Sequence, residues 1–266
     1  MAIAILDKGS AGLQGRLWSR RAEDWAAVQE ATALPLYEAA LVRLDIGSDT
    51  RLLDVACGAG LFAQMASQRG ASVSGVDAAP ALVSIAERRV PAGDFHVGEM
   101  EALPFDDGVF DVVTGFNAFQ YAERPVRALA EAARVLRRGG SVFIATWGRG
   151  EDSDAMAYIA AVNSVLPPSP PGPGPFALSE GESLRAIAAE TGLTLGAIVD
   201  VDVPFIYPNL DAALRGMLSA GPAVRAISVA GEERVRAAVT RAIAPYRLSS
   251  GGYRLENRFR YVIAKR

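Results

Sequence analysis

The stretch from Leu52 to Gln64, "LLDVACGAGLFAQ", has glycines spaced so that a ligand could approach the backbone closely. Its residues 58–63 satisfy the pattern G-x-G-x-x-G/A. A turn of this kind, between a strand and a helix, points backbone N–H groups and the positive end of the helix at the ligand. Asp77 closes the next strand, where its carboxylate can accept both hydrogens of a ribose diol. These features predict an adenosine-containing cofactor, and they fit NAD and flavin as well as other adenosine compounds.

The position of Asp54 narrows the choice among these adenosine-containing cofactors. It lies in the strand just before the glycines, where a carboxylate would repel a pyrophosphate and attract an ammonium or sulfonium group. A helical N-terminal segment precedes the strand and could fold over the turn as a lid. A further segment, residues 98–121 ("GEMEALPFDDGVFDVVTGFNAFQY"), connects the third and fourth predicted strands. Asp54 therefore favours a cationic ligand, and the three features together argue against a dinucleotide site.

The elements that must position these residues alternate between strand and helix. Short apolar runs predict buried strands at 51–57, 72–77, 94–99, 110–116, 141–148 and 193–205, and a last strand at 257–266. Helical patterns lie between them, at 60–69, 80–89, 125–140 and 183–192. The alternation predicts an α/β fold with a doubly wound parallel sheet. The proline-rich stretch 166–176 must be an extended loop.

The composition excludes several classes of protein. The 266 residues carry a formal net charge of -3, without the basic excess that nucleic-acid binders use to neutralise phosphates. One cysteine (Cys57) and one histidine (His96) are too few for a disulfide framework or a transition-metal site. No run approaches the roughly 20 apolar residues that span a bilayer, and the N-terminus is a poor signal peptide. We expect a cytoplasmic protein with no metal, membrane or nucleic-acid partner.

Four sequence motifs together are typical of one known family. They are "LLDVACGAG" from Leu52, "VSGVDAAP" from Val73, "GEMEALPFDDGVFDVV" from Gly98 and "ARVLRRGGSVFIATW" from Ala133. In this order, and with "ENRFRYVIA" from Glu256, the chain resembles the class I S-adenosylmethionine (SAM)-dependent methyltransferases. It is most similar to the small-molecule enzymes of ubiquinone and menaquinone biosynthesis. The resemblance implies a Rossmann-like seven-stranded sheet whose last strand is antiparallel. It also implies SAM as cofactor and S-adenosylhomocysteine (SAH) as product.

The resemblance assigns cofactor-binding residues as well. Gly58 and Gly60 would line the methionine part of SAM, with Asp54 organising the turn and its water. Asp77 would hold the ribose hydroxyls, and Ala78 would lie beside the adenine. The other expected contacts are Glu99 at the adenine amino group, the Met100 N–H at a ring nitrogen, Phe116 and Asn117 at the sulfonium end, Ala56 in the turn and Trp18 in the lid.

The expected reaction is methyl transfer to an O, N or C atom of a small metabolite, catalysed mainly by orientation. No histidine lies where a general base is expected, and the polar candidates near the mouth are Gln120, Tyr121 and Tyr207. A SAM-binding protein that does not methylate, acting as a cyclase or a regulatory module, is the alternative. An NAD-dependent dehydrogenase explains only the glycine turn and Asp77.

The chain is expected to form a single domain with four parts. These are a helical lid (1–48), a SAM-binding core (49–148), an acceptor-shaping and helical region (149–257) and the last strand (258–266). The region between strands five and six is an insertion, and substrate choice is expected to lie there. The expected partners are the small-molecule acceptor and, as an option, a second copy of the chain in a homodimer.

Overall fold

The computed structural model of the protein describes residues 9–167 and 176–266, and a seven-stranded sheet forms its centre. The strands of this sheet are β1 (Arg51–Val55), β2 (Ser72–Asp77), β3 (Asp94–Val97), β4 (Phe110–Phe116), β5 (Leu136–Trp147), β6 (Thr194–Asp202) and β9 (Arg258–Lys265). A separate antiparallel pair is formed by β7 (Phe205–Tyr207) and β8 (Tyr253–Leu255). The order across the main sheet is β3-β2-β1-β4-β5-β9-β6.

Strands β1 to β5 pair in parallel, whereas β9 runs antiparallel to both of its neighbours, β5 and β6. The predicted doubly wound, Rossmann-like sheet of seven strands with an antiparallel last strand is therefore confirmed. The last strand does not lie at the edge of the sheet. It is inserted between β5 and β6, so β6 forms the edge.

Both faces of the central strands are covered, which explains why their sequences are almost continuously apolar. Leu52 pairs with Val112 and Leu53 with Val113 in neighbouring β1 and β4, and both leucines are fully buried. Successive side chains of a strand point to opposite faces of the sheet. Leu52 accordingly joins the core on one face and Leu53 the core on the other.

Helices cover the two faces and the carboxyl edge of the sheet. They are α1 (Ala11–Ser19), α2 (Ala22–Asp24), α3 (Leu34–Arg43), α4 (Leu61–Gln68), α5 (Pro80–Arg89), α6 (Pro125–Val135), α7 (Ala155–Ser164), α8 (Gly181–Ala189), α9 (Leu210–Met217), α10 (Gly221–Ala230) and α11 (Glu232–Ile243). A π-helical turn (Trp25–Gln29) and a 3-10 turn (Glu30–Ala33) join α2 to α3, and shorter 3-10 turns lie at Phe119–Tyr121, Gly150–Asp152 and Ala244–Tyr246. None of the helices in the described ranges is long and apolar enough to cross a membrane.

Two helical layers meet over the carboxyl edge of the sheet. The first, called the lid below, is the segment from α1 to α3, in which α1 packs against α5 and α10. The second, called the cap below, consists of α7 and α9 to α11, which pack against one another. Ion pairs join the two layers, from Arg21 to Glu232 (2.7 Å) and from Arg215 to Asp24 (2.8 Å). The insertion between β5 and β6 contributes α7 and α8.

One predicted boundary is wrong. The helix expected to end at Gly139-Gly140 ends at Val135, and β5 begins at once with Leu136. Leu136 pairs with Phe110 of β4, and the register then shifts before Val112 pairs with Ser141. Residues 137–140 therefore form an irregular start of the strand, exposed at 137–139, which helix periodicity could not distinguish from a last helical turn. Of the predicted proline-rich loop, residues 168–175 lie outside the described residues, as do residues 1–8 of the N-terminus.

Candidate active site

The glycine turn between β1 and α4 requires unusual backbone conformations. Gly58 and Gly60 have φ values of 57° and 80°, in the left-handed region that glycine adopts at little cost. A Cβ at Gly60 would lie 2.7 Å from the Cβ of Ala86, so this glycine also lets α4 and α5 pack closely. A cavity lies beside this turn, and Gly58 lines it whereas Gly60 does not. The turn therefore presents Gly58 to a ligand and uses Gly60 to place the helix.

Asp77 ties the end of β2 to this turn. Its carboxylate accepts hydrogen bonds from the backbone N–H groups of Gly58 (2.9 Å) and Ala79 (2.8 Å). Burial raises the pKa of Asp77, and these N–H donors oppose that rise by stabilising the charged form. The side chain lines the cavity, and each carboxylate oxygen retains a second acceptor site.

The cavity runs along the carboxyl edge of the sheet, where the strands β1 to β5 end. Ligands of open α/β sheets bind at this edge. Ten of the fourteen residues predicted for the site line the cavity: Trp18, Ala56, Gly58, Asp77, Ala78, Glu99, Met100, Phe116, Asn117 and Tyr121. The structure thus brings together residues that are spread over more than one hundred positions of the sequence.

The other four predicted residues, among them Gly60, do not line the cavity. Asp54 is buried in β1 and accepts a hydrogen bond from the Thr114 hydroxyl (2.7 Å), and burial raises its pKa to about 8. Gln120 donates to the Asn117 side chain (3.3 Å), so it contacts a residue of the cavity wall without lining the cavity itself.

Tyr207 corrects the expectation of a polar group near the mouth. Its hydroxyl donates to Oε1 of Gln29 (2.7 Å), and the side chain is only 2% exposed. Burial raises the pKa of Tyr207, so the hydroxyl stays protonated. Tyr207 was predicted to lie near the mouth of the site because it follows a predicted strand. The structure places Gln29 at the cavity instead, with Tyr207 behind it.

Sequence reasoning missed Glu30, which lies in the 3-10 turn of the lid and is 2% exposed. Its Oε1 accepts from the N–H of Leu61, the first residue of α4 (3.3 Å), and its carboxylate pairs with Arg89 of α5. Arg89 also donates to the backbone carbonyls of Ala59 (2.9 Å) and Ala26 (3.0 Å). This one ion pair therefore connects the lid, the glycine turn and α5. The sequence offered no clear signal, because Glu30 lies in a helical segment that holds other polar residues, among them Gln29 and Thr32.

Helix α1 closes directly over the strand ends. A Cβ at Gly15 would lie 2.2 Å from the carbonyl oxygen of Ala78, so the helix touches the loop after β2. The carboxylate of Glu99 accepts from the N–H of Ala11, at the first turn of the helix (2.7 Å). Trp18 packs edge-on against Trp25, with ring centroids 4.8 Å apart. The lid is thus held in contact with the residues predicted to surround the adenosine.

The charges of the cavity all have one sign. Its ionisable lining residues, apart from tyrosines, are Glu30, Asp77 and Glu99, and no lysine, arginine or histidine is found among the described lining residues. Burial raises the pKa of Glu30, an effect that Arg89 opposes. Such a wall attracts a cationic ligand and repels a pyrophosphate. The carboxylates lie near the glycine turn, so this part of the cavity is called the glycine-turn end below.

The opposite end of the cavity, called the cap chamber below, is lined by the ends of β5 and β9, by residues at the start of β7 and by the cap. Its residues are mainly apolar and aromatic: Trp147, Tyr158, Ile159, Val162, Asn163, Val203, Phe205, Met217 and Phe259. The Tyr158 hydroxyl donates to the carbonyl of Met217 (2.8 Å). Phe116 and Asn117 lie at the end of β4, and Asn117 has a φ of 52°, a conformation that asparagine tolerates better than most residues.

Residues 53–144 match the family described as methyltransferase domain. The match covers about a third of the chain and includes the glycine turn, and the Rossmann-like sheet agrees with it. This part of the chain is therefore similar to methyltransferase domains.

Curated relatives match about half of the chain. An uncharacterized protein of Mycobacterium tuberculosis is 33% identical over 153 residues, which are 56% of this chain and 56% of that protein. The malonyl-[acyl-carrier protein] O-methyltransferase of Serratia marcescens is 33% identical over 123 residues, 44% of this chain and 48% of its own. The ubiquinone biosynthesis O-methyltransferase of Xanthomonas oryzae is 34% identical over 125 residues, 45% of this chain and 52% of its own. The chain thus spans about half the length of these relatives.

Solved structures share the fold over most of the chain. The YcgJ protein of Bacillus subtilis is 20% identical and covers 86% of this chain and 97% of its own, with a TM-score of 0.59. A putative methyltransferase of Bacillus halodurans is 17% identical, with the same coverage and a TM-score of 0.58. At these identities the likeness concerns the fold alone.

Proposed function

We propose that the protein transfers a methyl group from SAM to a small-molecule acceptor. The observation that carries the proposal is the sign of charge in the cavity. Among the described residues, three carboxylates and no cationic side chain line the cavity beside the glycine turn. Arg89 contacts the turn and pairs with Glu30 but does not line the cavity, so Asp77 and Glu99 remain without a cationic partner. SAM carries a sulfonium and an ammonium, whereas NAD and flavin dinucleotides bring a pyrophosphate to this position. The first ligand fits the wall and the second does not.

Each residue of the glycine-turn end has a proposed task. The backbone at Ala56 and Gly58 faces the methionine part, and Glu30 adds a carboxylate beside Gly58, with Oε1 3.4 Å from the position of a Cβ there. Asp77 already accepts two backbone N–H groups, which fixes its remaining acceptor sites for the ribose hydroxyls. Ala78 has no side chain beyond Cβ and leaves room for the adenine.

The other proposed contacts lie on the lid side and at β4. In this proposal Glu99 and the Met100 N–H bind the adenine edge and Trp18 covers it from the lid, since all three residues line the cavity. Phe116 and Asn117 flank the sulfonium, with Asn117 supported by Gln120. Asp54 and Gly60 hold the turn from behind rather than touching the cofactor.

The methyl group of SAM is already activated, so the protein has to orient the acceptor and exclude water. Tyr121 lines the cavity, and burial raises its pKa to about 12. Its hydroxyl therefore remains protonated near neutral pH, and it serves as a hydrogen-bond donor rather than as a base. Gln120 and Tyr207 have no proposed catalytic contact, because neither lines the cavity.

Isothermal titration with SAM and with NAD+ tests the cofactor assignment. We expect SAM to bind with a micromolar Kd and NAD+ not to bind. Binding of NAD+ without SAM would contradict the proposal. SAM consumption with a panel of metabolites then tests the reaction through the SAH formed. Tight SAM binding without SAH formation for any acceptor would favour the non-methylating alternative.

The partner and location assignments remain part of this proposal. The acceptor is a small molecule rather than a nucleic acid or a membrane lipid surface, and the protein acts in the cytoplasm. A homodimer stays a prediction, for which sedimentation of the purified chain is the measurement.

A further inference from the structure

A π-helical turn in the lid brings an indole and a carboxylate to one side of the helix. This turn spans Trp25–Gln29, and the backbone N–H of Glu30 donates to the carbonyl of Trp25, five residues earlier. In an α-helix, with about 3.6 residues per turn, side chains five positions apart point in different directions. The wider π turn aligns them, and many of these rare turns lie at functional sites. Trp25 and Glu30 both line the cavity.

The two side chains converge on Gly58. Oε1 of Glu30 lies 3.4 Å, and Nε1 of Trp25 lies 3.5 Å, from the position that a Cβ would occupy at this glycine. A negatively charged acceptor and a hydrogen-bond donor therefore lie on the same side of the glycine turn. The indole N–H of Trp18 donates to Gln14, whereas that of Trp25 has no acceptor among the described residues. The Trp25 N–H is thus available to a ligand in the cavity.

Two backbone donors of the glycine turn are already taken by carboxylates of the protein. The N–H of Gly58 donates to Asp77 (2.9 Å), and the N–H of Leu61, the first residue of α4, donates to Glu30 (3.3 Å). A helix N-terminus usually attracts an anion. Here the Glu30 carboxylate occupies that position and would repel a second carboxylate. A carboxylate on a ligand therefore needs another donor.

We propose that Trp25 and Glu30 together bind the α-amino acid group of SAM, an inference that rests on the function proposed above. The carboxylate of Glu30 accepts hydrogen bonds from the ammonium, and the indole N–H of Trp25 donates to the carboxylate. The ammonium and the carboxylate of SAM are attached to the same carbon atom, so they can reach two protein groups that lie side by side. The lid thereby recognises a cofactor that carries an intact amino acid group.

Arg89 keeps Glu30 suited to this task. Its guanidinium pairs with Glu30 from α5 and does not line the cavity. Burial raises the pKa of Glu30, and Arg89 and the Leu61 N–H oppose that rise by stabilising the ionised carboxylate. Each oxygen of a carboxylate has about two acceptor sites, so Oε1 can accept from the ammonium while it remains bound to the Leu61 N–H.

Analogues of SAH that lack one charged group test the two contacts separately. S-adenosyl-3-thiopropylamine, the decarboxylated analogue, keeps the ammonium, and S-adenosyl-4-thiobutyrate, the deaminated analogue, keeps the carboxylate. Titration calorimetry measures the affinity of SAH and of both analogues. We expect each analogue to bind the unmodified protein at least about tenfold more weakly than SAH, as for the loss of a hydrogen bond to a charged group.

The variant Trp25→Phe removes the indole N–H and keeps an aromatic ring. We expect it to bind SAH about tenfold more weakly but the decarboxylated analogue within about twofold of the unmodified protein, because that analogue has no carboxylate to lose a donor. A loss of ring packing would instead weaken both ligands equally.

The variant Glu30→Gln removes the charge and keeps an acceptor for the Leu61 N–H. It should bind SAH and the decarboxylated analogue about tenfold more weakly, and it should not weaken the deaminated analogue. Glu23→Gln is the matched control in the lid, because Glu23 is exposed and pairs with Arg88 at the surface. It should leave all three affinities within about twofold of the unmodified protein.

Three results would overturn the inference. They are equal binding of SAH and both analogues to the unmodified protein, equal losses for SAH and the decarboxylated analogue in Trp25→Phe, and equal losses for SAH and the deaminated analogue in Glu30→Gln. Circular dichroism checks that each variant folds, and the first two results decide the matter if Glu30→Gln does not. Failure of SAH to bind the unmodified protein is a separate result, because it removes the proposed function on which this inference rests.

Discussion

The glycine-turn end and the cap chamber belong to one cavity but are built in different ways. The first is formed by the loops that follow β1, β2 and β3 and by the lid, and it contains three carboxylates. The second is formed by α7, α9, β7 with the preceding Val203, and the ends of β5 and β9, and none of its described lining residues is charged. A ligand that bridges the two ends must be polar and cationic on one side and apolar on the other. The proposed transfer of a methyl group from SAM to a small-molecule acceptor meets this requirement.

The largest expected effect is a loss of stability when the ion pair between the lid and α5 is removed. Arg89→Met removes the partner of the buried Glu30 and two hydrogen bonds to carbonyls of the lid and turn. Leaving a buried carboxylate unpaired should lower the free energy of unfolding by about 3 kcal/mol. Urea denaturation measures this change, and SAM affinity should fall as well, because the glycine turn loses its tie to the lid.

Arg88→Met is the matched control on the same helix. Arg88 pairs with Glu23 at the surface, and both side chains are largely exposed, so its loss should cost less than about 1 kcal/mol. Equal destabilisation by the two variants would show that the lid is not fastened through Arg89.

The second effect concerns cofactor affinity. Asp77→Asn removes the charge that holds the Gly58 and Ala79 N–H groups and is proposed to hold the ribose. We expect SAM to bind about 30-fold more weakly, equivalent to about 2 kcal/mol, which is the usual worth of a hydrogen bond to a charged group. Titration calorimetry measures the Kd. Asp94→Asn, on the exposed start of β3, should leave it unchanged, and a similar loss there would refute the ribose assignment.

The difference between the two ends of the cavity also explains which site residues could be predicted from the sequence. Asp77 ends β2, and Gly58 and Glu99 lie shortly after β1 and β3, so the alternation of strand and helix was enough to bring them to one edge of the sheet. Glu30 and Arg89 meet only because the lid folds back over the turn, a contact between positions 59 residues apart. The cap chamber depends on packing of segments that have no shared motif. Tyr207 shows the limit of prediction from strand positions, because position alone could not distinguish a residue that lines the cavity from one packed behind it.

A smaller effect tests how closely the lid approaches the adenosine. Gly15→Ala would place a methyl group 2.2 Å from the Ala78 carbonyl oxygen, so α1 must move away from the loop after β2. We expect SAM affinity to fall about tenfold, which corresponds to about 1.4 kcal/mol. Alanine favours a helix over glycine, so loss of the helix cannot explain this result. Leu13→Ala, on the exposed side of α1, is the control, and equal affinities for both variants would place the adenosine elsewhere.

The smallest expected effect concerns Asp54. Because burial raises its pKa to about 8, the carboxyl is mostly protonated at pH 7, and it does not line the cavity. Asp54→Asn should therefore change SAM affinity less than threefold at pH 7. A loss beyond tenfold would show that the ionised carboxylate contacts the cofactor.

Protein stability provides a second readout for Asp54. A folded pKa above the unfolded value of about 3.8 gives a contribution to stability that is complete at low pH and is lost as the pH rises towards 8. The Asp54→Asn variant has no such titration, so its stability relative to the unmodified protein should increase from pH 4 to pH 8. Thermal unfolding across this range measures the difference.

A crystal structure of the protein with SAH is the most direct test of the two-ended cavity. It should show the adenine beside Glu99 and Met100, the ribose hydroxyls on Asp77, and the sulfur at Phe116 with the cap chamber open beyond it. An adenine ring lodged between Trp147 and Phe205 would contradict the account, because the cofactor would then occupy the end assigned to the acceptor.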